Sequence, residues 1–587
     1  MTTALSLASA VALVAAPATA FAQGPATAAF VDVTLIRMDR DRVEPGHTVI
    51  VLGDRVVAIG RTGDLIVPAG AAVIDGSGRY LLPGLTDSHV HLTTDMPWAP
   101  TRTEFGDAPL YLAHGVTTVV NLRGTPDQLQ WKRRVESGDL VAPTIYTAGE
   151  FVNEPRVHTP EDVRREVVRQ ARAGYDLIKF HEIWPRGGSS TRQGLSRDAY
   201  DAMFAAAHDA GLPVVGHVPV HLGLDAVLAS SGGAVAHVGE LNRLHFVLGP
   251  RVLLASAAMT FVLIVAVAGW GAAAALGRRH RRAAPPPVTL RRAQVLFASA
   301  LAMAMVLFIT GFVVGPGGRF YTSPAWRMGA FASGVLFVTL AGLAITWSFL
   351  AWRQATVAVR SKLPLAVAAI GTAVLAGLVI VAWLPFLWKS SDRAIGRIAA
   401  RFREAGIAVQ STLVVYEAAT PEGSEDVLAD PGFRRLDPRT QTLWRQVAER
   451  RASQPDTGSL MPPRLPEFLR GVAATFHRNG VLVLAGTDAM GVPLVPPGSS
   501  LIRELRLLQQ GGLSPSEALR TATVNPARFL GKDKEFGTIA VGARADLLLL
   551  ERNPLESLEA LNDPAGVMVR GHWLPRDRIQ AELAALR

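Results

Sequence analysis

Tyr80–Leu92, "YLLPGLTDSHVHL", begins as an apolar run and ends in polar residues. A strand in a parallel sheet is covered on both faces and reads as continuously apolar. Asp87, His89 and His91 break that rule, and residues two apart on a strand point the same way. The stretch therefore reads as a buried strand whose carboxyl end opens on a polar site.

Seven further stretches have the same character: "VTTVVNL" (Val116–Leu122), "PTIYTAG" (Pro143–Gly149), "YDLIKFH" (Tyr175–His181), "LPVVGHV" (Leu212–Val218), "GAVAHV" (Gly233–Val238), "GIAVQSTLVVY" (Gly406–Tyr416) and "GVLVLAGTD" (Gly480–Asp488). All but the interrupted sixth are followed by a helical pattern such as "SRDAYDAMFAAAHDAG". Eight strand–helix units predict an α/β fold, a closed (β/α)8 TIM barrel. Ahead of it, short β-rich pieces such as "TVIVLGDRVVAIG" (Thr48–Gly60) alternate with turns. At the far end "GTIAVGARADLLLLERNP" (Gly537–Pro554) has the same texture, which predicts a small β-sandwich built from both chain ends.

Between the sixth and seventh strands the composition changes. Only 18% of the 587 residues are charged, and four apolar runs account for much of that: Val252–Leu276, Ala293–Val314, Met328–Leu350 and Leu363–Leu387. Each is long enough to cross a bilayer core as a helix. The net charge of +10 does not point to nucleic acid, because much of it sits in loops between these runs. "GRRHRRAAPPPVTLRR" (Gly277–Arg292) separates the first two, and Arg353, Arg360 and Lys362 the last two; the middle loop holds Arg319, with Arg327 at its edge. Positive loops face the cytoplasm, so an integral protein of the inner or plasma membrane is expected, its flanking domains on the periplasmic side. "LSLASAVALVAAPATAFAQ" (Leu5–Gln23) has an apolar core and small residues before a cleavage point near Ala22. Without Lys or Arg ahead of the core it reads as a signal peptide or an uncleaved anchor. The absence of cysteine excludes disulfides and thiolate ligands.

The expected organisation is residues 1–22 as signal or anchor, 23–79 and 536–587 as the two parts of the end domain (the latter with a C-terminal helix), 80–250 and 391–535 as the barrel, and 251–390 as a four-helix transmembrane insertion.

Barrel enzymes place their chemistry at the carboxyl ends of the strands. There the sequence puts His89, His91, Lys179, His217, His237 and Asp488. One such histidine is commonly a hydrogen-bonded structural residue; four with a lysine and an aspartate suit Zn²⁺ or another divalent ion.

In order and spacing, "PGLTDSHVH", "GVTTVVNLRG", "DLIKF", "VVGHVP", "AHVGE", "LAGTDA" and the tail "SPSEALRTATVNPARFLG" resemble the amidohydrolase superfamily of metal-dependent hydrolases, notably its imidazolonepropionase-like and prolidase-like branch. The resemblance spans nearly the whole chain except the apolar block. It implies that His89 and His91 bind a buried ion and His217 and His237 a more exposed one. Lys179, carboxylated by CO₂ to a carbamate, would bridge them; the alternative is a lysine reaching from a strand end to water. One or two ions are implied, zinc first, with manganese, cobalt or iron equally able to use such donors. Asp488 would ligate the buried ion and act as general base and then acid while a metal-activated water cleaves an amide, cyclic amide or peptide-like C–N bond; dipeptidase-type activity falls within that class. Ala236 stands where relatives often have Glu, and Val120–Asn121 where many have Arg-Asp.

Tyr416, ending the seventh strand, and His181, on the side of Lys179, are candidate substrate contacts. Arg156 and His158 are weaker ones, and His245 lies within reach of the mouth. His208, His221 and His477 read as structural. The apolar block leaves from the catalytic face, so it either tethers the enzyme or presents a lipidic substrate such as an N-acyl compound; an oligomer is compatible with either. The other functional class is a transporter or sensor with the barrel as an extracytoplasmic ligand-binding module. The four apolar runs carry no ionisable residue between their ends, where transport pathways usually have one.

Overall fold

The computed structural model describes residues 27–40, 42–92, 104–181, 194–219, 221–241, 287–313, 324–354, 359–384, 392–453 and 465–586, with shorter pieces between 256 and 272. The signal segment, His245, Arg319 and about half of the first apolar run lie outside these residues.

Both chain ends contribute to one eight-stranded sheet. β1 (Thr27–Ile36), β2 (Val43–Leu52), β3 (Arg55–Arg61), β4 (Ala72–Asp75) and β5 (Tyr80–Pro83) come from the N-terminal part. The hydrogen-bonded ladders form a single sheet where a sandwich was expected, with Phe30, Val33, Leu35, Val49, Leu547 and Met568 in its core. Gly84 separates β5 from β6 (Leu85–Val90). The opening stretch is therefore two elements: its first four residues pair with β1 and with the later strand Leu547–Leu550 in the end sheet, and the rest begins the α/β domain.

That domain continues with β7 (Val116–Asn121), β8 (Thr144–Thr147), β9 (Ile178–Phe180), β10 (Val214–Gly216), β11 (Gly233–Val235), β12 (Ala408–Gln410) and β13 (Val483–Leu484). β6-β7-β8 form one parallel sheet and β13-β12-β11-β10-β9 another. Single parallel bridges, Ala148 to Leu177 and Val90 to Ala489, stand at the two seams. Pairing is brief because most of these strands are only two to four residues long before polar loops take over. The chain then returns to the end sheet as β14 (Leu547–Leu550), β15 (Gly566–Val569) and β16 (His572–Pro575), followed by the expected C-terminal helix, Arg576–Ala585. Arg544 ties the two parts together: its guanidinium donates to Asp546 (2.6 Å) and to Thr118 Oγ1 on β7 (2.9 Å), and lies over the Phe536 ring.

Of the four apolar runs, the described residues show three helices long and apolar enough to cross a membrane, Val288–Leu307, Gly329–Trp352 and Lys362–Val381, and a shorter one, Ala258–Gly269. The helices bury small and large apolar side chains together, Phe297, Phe337 and Trp383 among the large ones, and also leave large apolar side chains exposed. Ala300, Ala304, Ala341, Ala344 and Ala368 are buried, whereas Phe349, Ile370 and Val381 are more than half exposed. The block enters after β11 and ends before the helix Asp392–Glu404, whose Ile395, Ile398 and Phe402 pack into the α/β domain's core. It is thus inserted in the connection from the sixth strand to that strand's own helix.

Candidate metal centre

The six candidate residues lie in or just beyond the ends of five strands, and the parallel register brings those ends together. His89 lies in β6 with His91 just beyond it, Lys179 lies in β9, His217 follows β10, His237 follows β11 and Asp488 follows β13. All but His217 are buried, and His217 is half-buried. Asp488 Oδ1 stands 2.9 Å from His91 Nε2 and 3.4 Å from His89 Nε2. Ring centroids are 4.5 Å apart for His89 and His237, and 4.9 Å for His237 and His217. Donor atoms of His89, His237 and Asp488 all fall within 4.8 Å of one another, close enough for one ion. This trio crosses the division into buried and exposed ligand sets that the resemblance implied.

The electrostatics suit a cation. Burial, with the Lys179 charge next, holds His89 well below the ordinary imidazole value, and burial takes His237 down to about 4. Both rings are then neutral at physiological pH and carry free lone pairs. Burial alone would raise Asp488, but His91, His237 and Lys179 outweigh it and hold the carboxyl below its usual value. Burial lowers Lys179 from 10.5 to about 7. Its Nζ, like Nδ1 of His89 and of His91, is buried without a hydrogen-bond partner. Orphaned polar atoms of this kind are costly and are what a metal site would use, so the donor set fits a divalent ion.

Asp87, which the sequence places on the side of His89 and His91, has a supporting role here; Thr487, Glu240 and Thr412 are not singled out by the sequence. Asp87 accepts from Thr487 Oγ1 (2.6 Å), Thr487 N (3.0 Å) and His89 N (3.2 Å), tying the end of β6, which carries His89, to the loop that carries Asp488. Burial pushes the Asp87 carboxyl up to about 7. Glu240 Oε2 lies 3.7 Å from His217 Nδ1, and Thr412 Oγ1 lies 2.8 Å from His237 Nδ1. Among the described residues eight non-glycines have positive φ, and five of them, His237, Thr412, Asp488, Met490 and Leu494, follow catalytic-domain strands. Strained backbone collects at functional sites. The hydrophobic pattern carries no trace of it; "AHVGE" and "LAGTDA" were the only available signals.

His181 is placed beside the cluster, its ring 4.1 Å from His217 and stacked at 4.9 Å on Phe151. Tyr416 requires a correction: it does not end a strand. β12 stops at Gln410, Thr412 turns with φ of +42°, and Tyr416 lies within the helix Leu413–Ala418. It still reaches the mouth, since a Cβ on Gly239, two residues past His237, would stand 2.1 Å from its hydroxyl. Arg156 is committed elsewhere, 2.8 Å from Glu166 and donating to Phe151 O. His158 lies by Glu154, His221 bonds Leu195 O and His477 faces Glu517; His208 is exposed at the end of its helix.

Gly491 presses on the centre, and a Cβ there would lie 2.2 Å from Asp488 Oδ1 and 2.3 Å from His91 Cδ2. Gly491→Ala must displace that pair, and a shift of about 1 Å in such a site costs on the order of 10²-fold in rate. An alanine variant with wild-type kcat and metal content would refute the packing argument.

Residues 463–574 match the profile described as the Amidohydrolase family. The chain is similar to an adenine deaminase of Rubrobacter xylanophilus, 36% identical over 177 residues, 28% of each chain. It is also similar to an ochratoxinase of Aspergillus niger, 30% identical over 90 residues, 15% of this chain and 19% of that one. The matches thus span under a third of those relatives. Among solved structures, a candidate prolidase from Bifidobacterium longum covers 96% of this chain and 99% of its own at 20% identity and a TM-score of 0.52. Bottromycin amidohydrolase covers 96% and 91% at 20% identity, also with a TM-score of 0.52. At such identities the structural likeness is one of fold.

Proposed function

We propose that the chain is a membrane-anchored, metal-dependent hydrolase of the amidohydrolase type, acting on C–N bonds in small amide or peptide-like substrates. The match of residues 463–574 to the Amidohydrolase family and the partial likeness to an adenine deaminase support this reading. The observation that carries this reading is the convergence of His89, His237 and Asp488 donor atoms within 4.8 Å, beside His91, Lys179 and His217. In this reading the two seam bridges close the eight strands into a barrel whose mouth is the site.

His89, His91, Lys179, His217, His237 and Asp488 hold one or two divalent ions, zinc foremost. When bound, such ions supply Lewis acidity, polarising a carbonyl and making water more acidic. Asp488 Oδ1 takes the proton of the attacking water and delivers it to the departing amine nitrogen, base first and acid second. Burial leaves much of Lys179 as the free amine near neutral pH. That amine can add CO₂ and lose a proton, giving an anionic carbamate in place of a cation among ligands. His181 and Tyr416 line the substrate's approach.

The apolar block anchors the enzyme. Its alanine-rich interior and large exposed side chains suit lipid surroundings, where close helix packing favours small residues. Basic residues gather at one end of the bundle: Arg292 lies over Trp347, Arg353 over Phe349 and Lys362 over Trp352. The other end leads from Leu384 to Asp392, eight residues and at most about 29 Å of chain. Positive-inside orientation then puts the catalytic mouth outside, facing the bilayer.

The test is metal analysis of protein purified in detergent, with hydrolysis assays on dipeptides, N-acyl amino acids, lactams and lipid amides. We expect tightly bound divalent metal and hydrolysis that a chelator abolishes and added metal restores. Metal-free protein that no divalent ion activates would sink the proposal. A rate independent of acyl-chain length would make the block an anchor alone.

A further inference from the structure

The buried Glu504 carboxylate accepts hydrogen bonds from Ser411 Oγ and from Val414 N, the latter at 2.8 Å. These two residues flank Thr412, whose φ of +42° is left-handed, a conformation a β-branched residue seldom adopts. Thr412 Oγ1 in turn lies 2.8 Å from His237 Nδ1. Strand register makes the contact: Val409 pairs with Val235, so the residues just beyond β12 come alongside His237 although the whole apolar block intervenes in sequence.

Glycine or asparagine would accept this backbone more readily, but glycine has no hydroxyl to offer. With Nδ1 engaged by Thr412, His237 keeps Nε2 for the side shared with His89 and Asp488. A ligand histidine commonly donates its other ring N–H in this way, which settles its tautomer and orientation.

We propose that Thr412 and Glu504 are positioning residues for the metal centre: Thr412 Oγ1 accepts the Nδ1 proton of His237, and Glu504 holds Thr412 in the left-handed turn that makes this bond. This rests on reading His237 as a metal ligand. Glu504 comes from Ser499–Gln510, a helix that carries none of the six candidate ligands; in this proposal it acts on the site through the turn that holds Thr412.

The experiment measures Co²⁺ binding to the full-length, metal-stripped protein in detergent, by competition with a chromophoric chelator and by the absorption spectrum of the Co²⁺ form. Thr412→Gly should weaken Co²⁺ affinity by about 10- to 100-fold while leaving the melting temperature of the metal-free protein unchanged or raised, because the backbone strain is removed. Thr412→Ser should retain wild-type affinity and spectrum. Glu504→Gln should weaken affinity in the wild-type background and have no further effect in the Thr412→Gly background. Wild-type affinity and spectrum in Thr412→Gly, or additive losses in the double variant, would overturn the relay. If the wild type itself takes up no Co²⁺, the metal reading falls and the relay with it.

Discussion

Asp488→Asn should lower turnover by about 10³-fold while leaving the fold intact. The carboxylate is buried and held ionised by its neighbours, with one oxygen 2.9 Å from His91 Nε2 and 3.4 Å from His89 Nε2. Asparagine keeps the shape but supplies no charge and cannot take up a proton at neutral pH. Losing a general base or acid alone costs about 10²- to 10⁴-fold, and under the proposed function an anionic ligand would be lost as well. The check is kcat at saturating metal, with circular dichroism to confirm folding. A variant retaining a tenth or more of wild-type kcat would mean that the proton passes through another group.

Lys179→Met should have opposite effects on stability and function. Hydrolysis and tight metal binding should be lost, yet the metal-free protein should become more stable. The lysine is only 1% exposed, its Nζ has no hydrogen-bond partner, and burial lowers it from 10.5 to about 7. Between those values the unfolded chain holds a proton that the folded chain has released, so metal-free wild type gains stability as pH rises through that window. Below about pH 7 the burial penalty is full, on the order of 5 kcal/mol at 1.36 kcal/mol per pH unit; above about 10.5 it vanishes. Methionine removes the penalty at every pH, so its advantage should be largest near pH 6.5 and gone by about pH 10.5. Denaturation of the metal-free proteins in CO₂-free buffer at several pH values decides this. Equal stability of the two near pH 6.5 would show that the ammonium is not desolvated as described.

The alternation of strands and helices, the lipid-length apolar runs and the polar residues at strand ends were all legible in the chain. Each is a local pattern: side-chain direction repeats every two residues in a strand, so "SHVH" states its facing, and a long uncharged run states its length against a bilayer. The six candidate residues followed from their places at strand ends, the metal reading from their donor chemistry, and the ligand sets only from the family resemblance. Tertiary structure decided what local pattern does not encode. It divided the apolar stretch Tyr80–Leu92 at Gly84, giving its first part to the end sheet. It placed Tyr416 in a helix beyond a left-handed Thr412. It joined Asp87 to Thr487 and, through Thr412, Glu504 to His237. These contacts link residues far apart in sequence, and only the strand register aligns them. A buried carboxylate looks like any other in a sequence; the donors that face it depend on which segments fold against it.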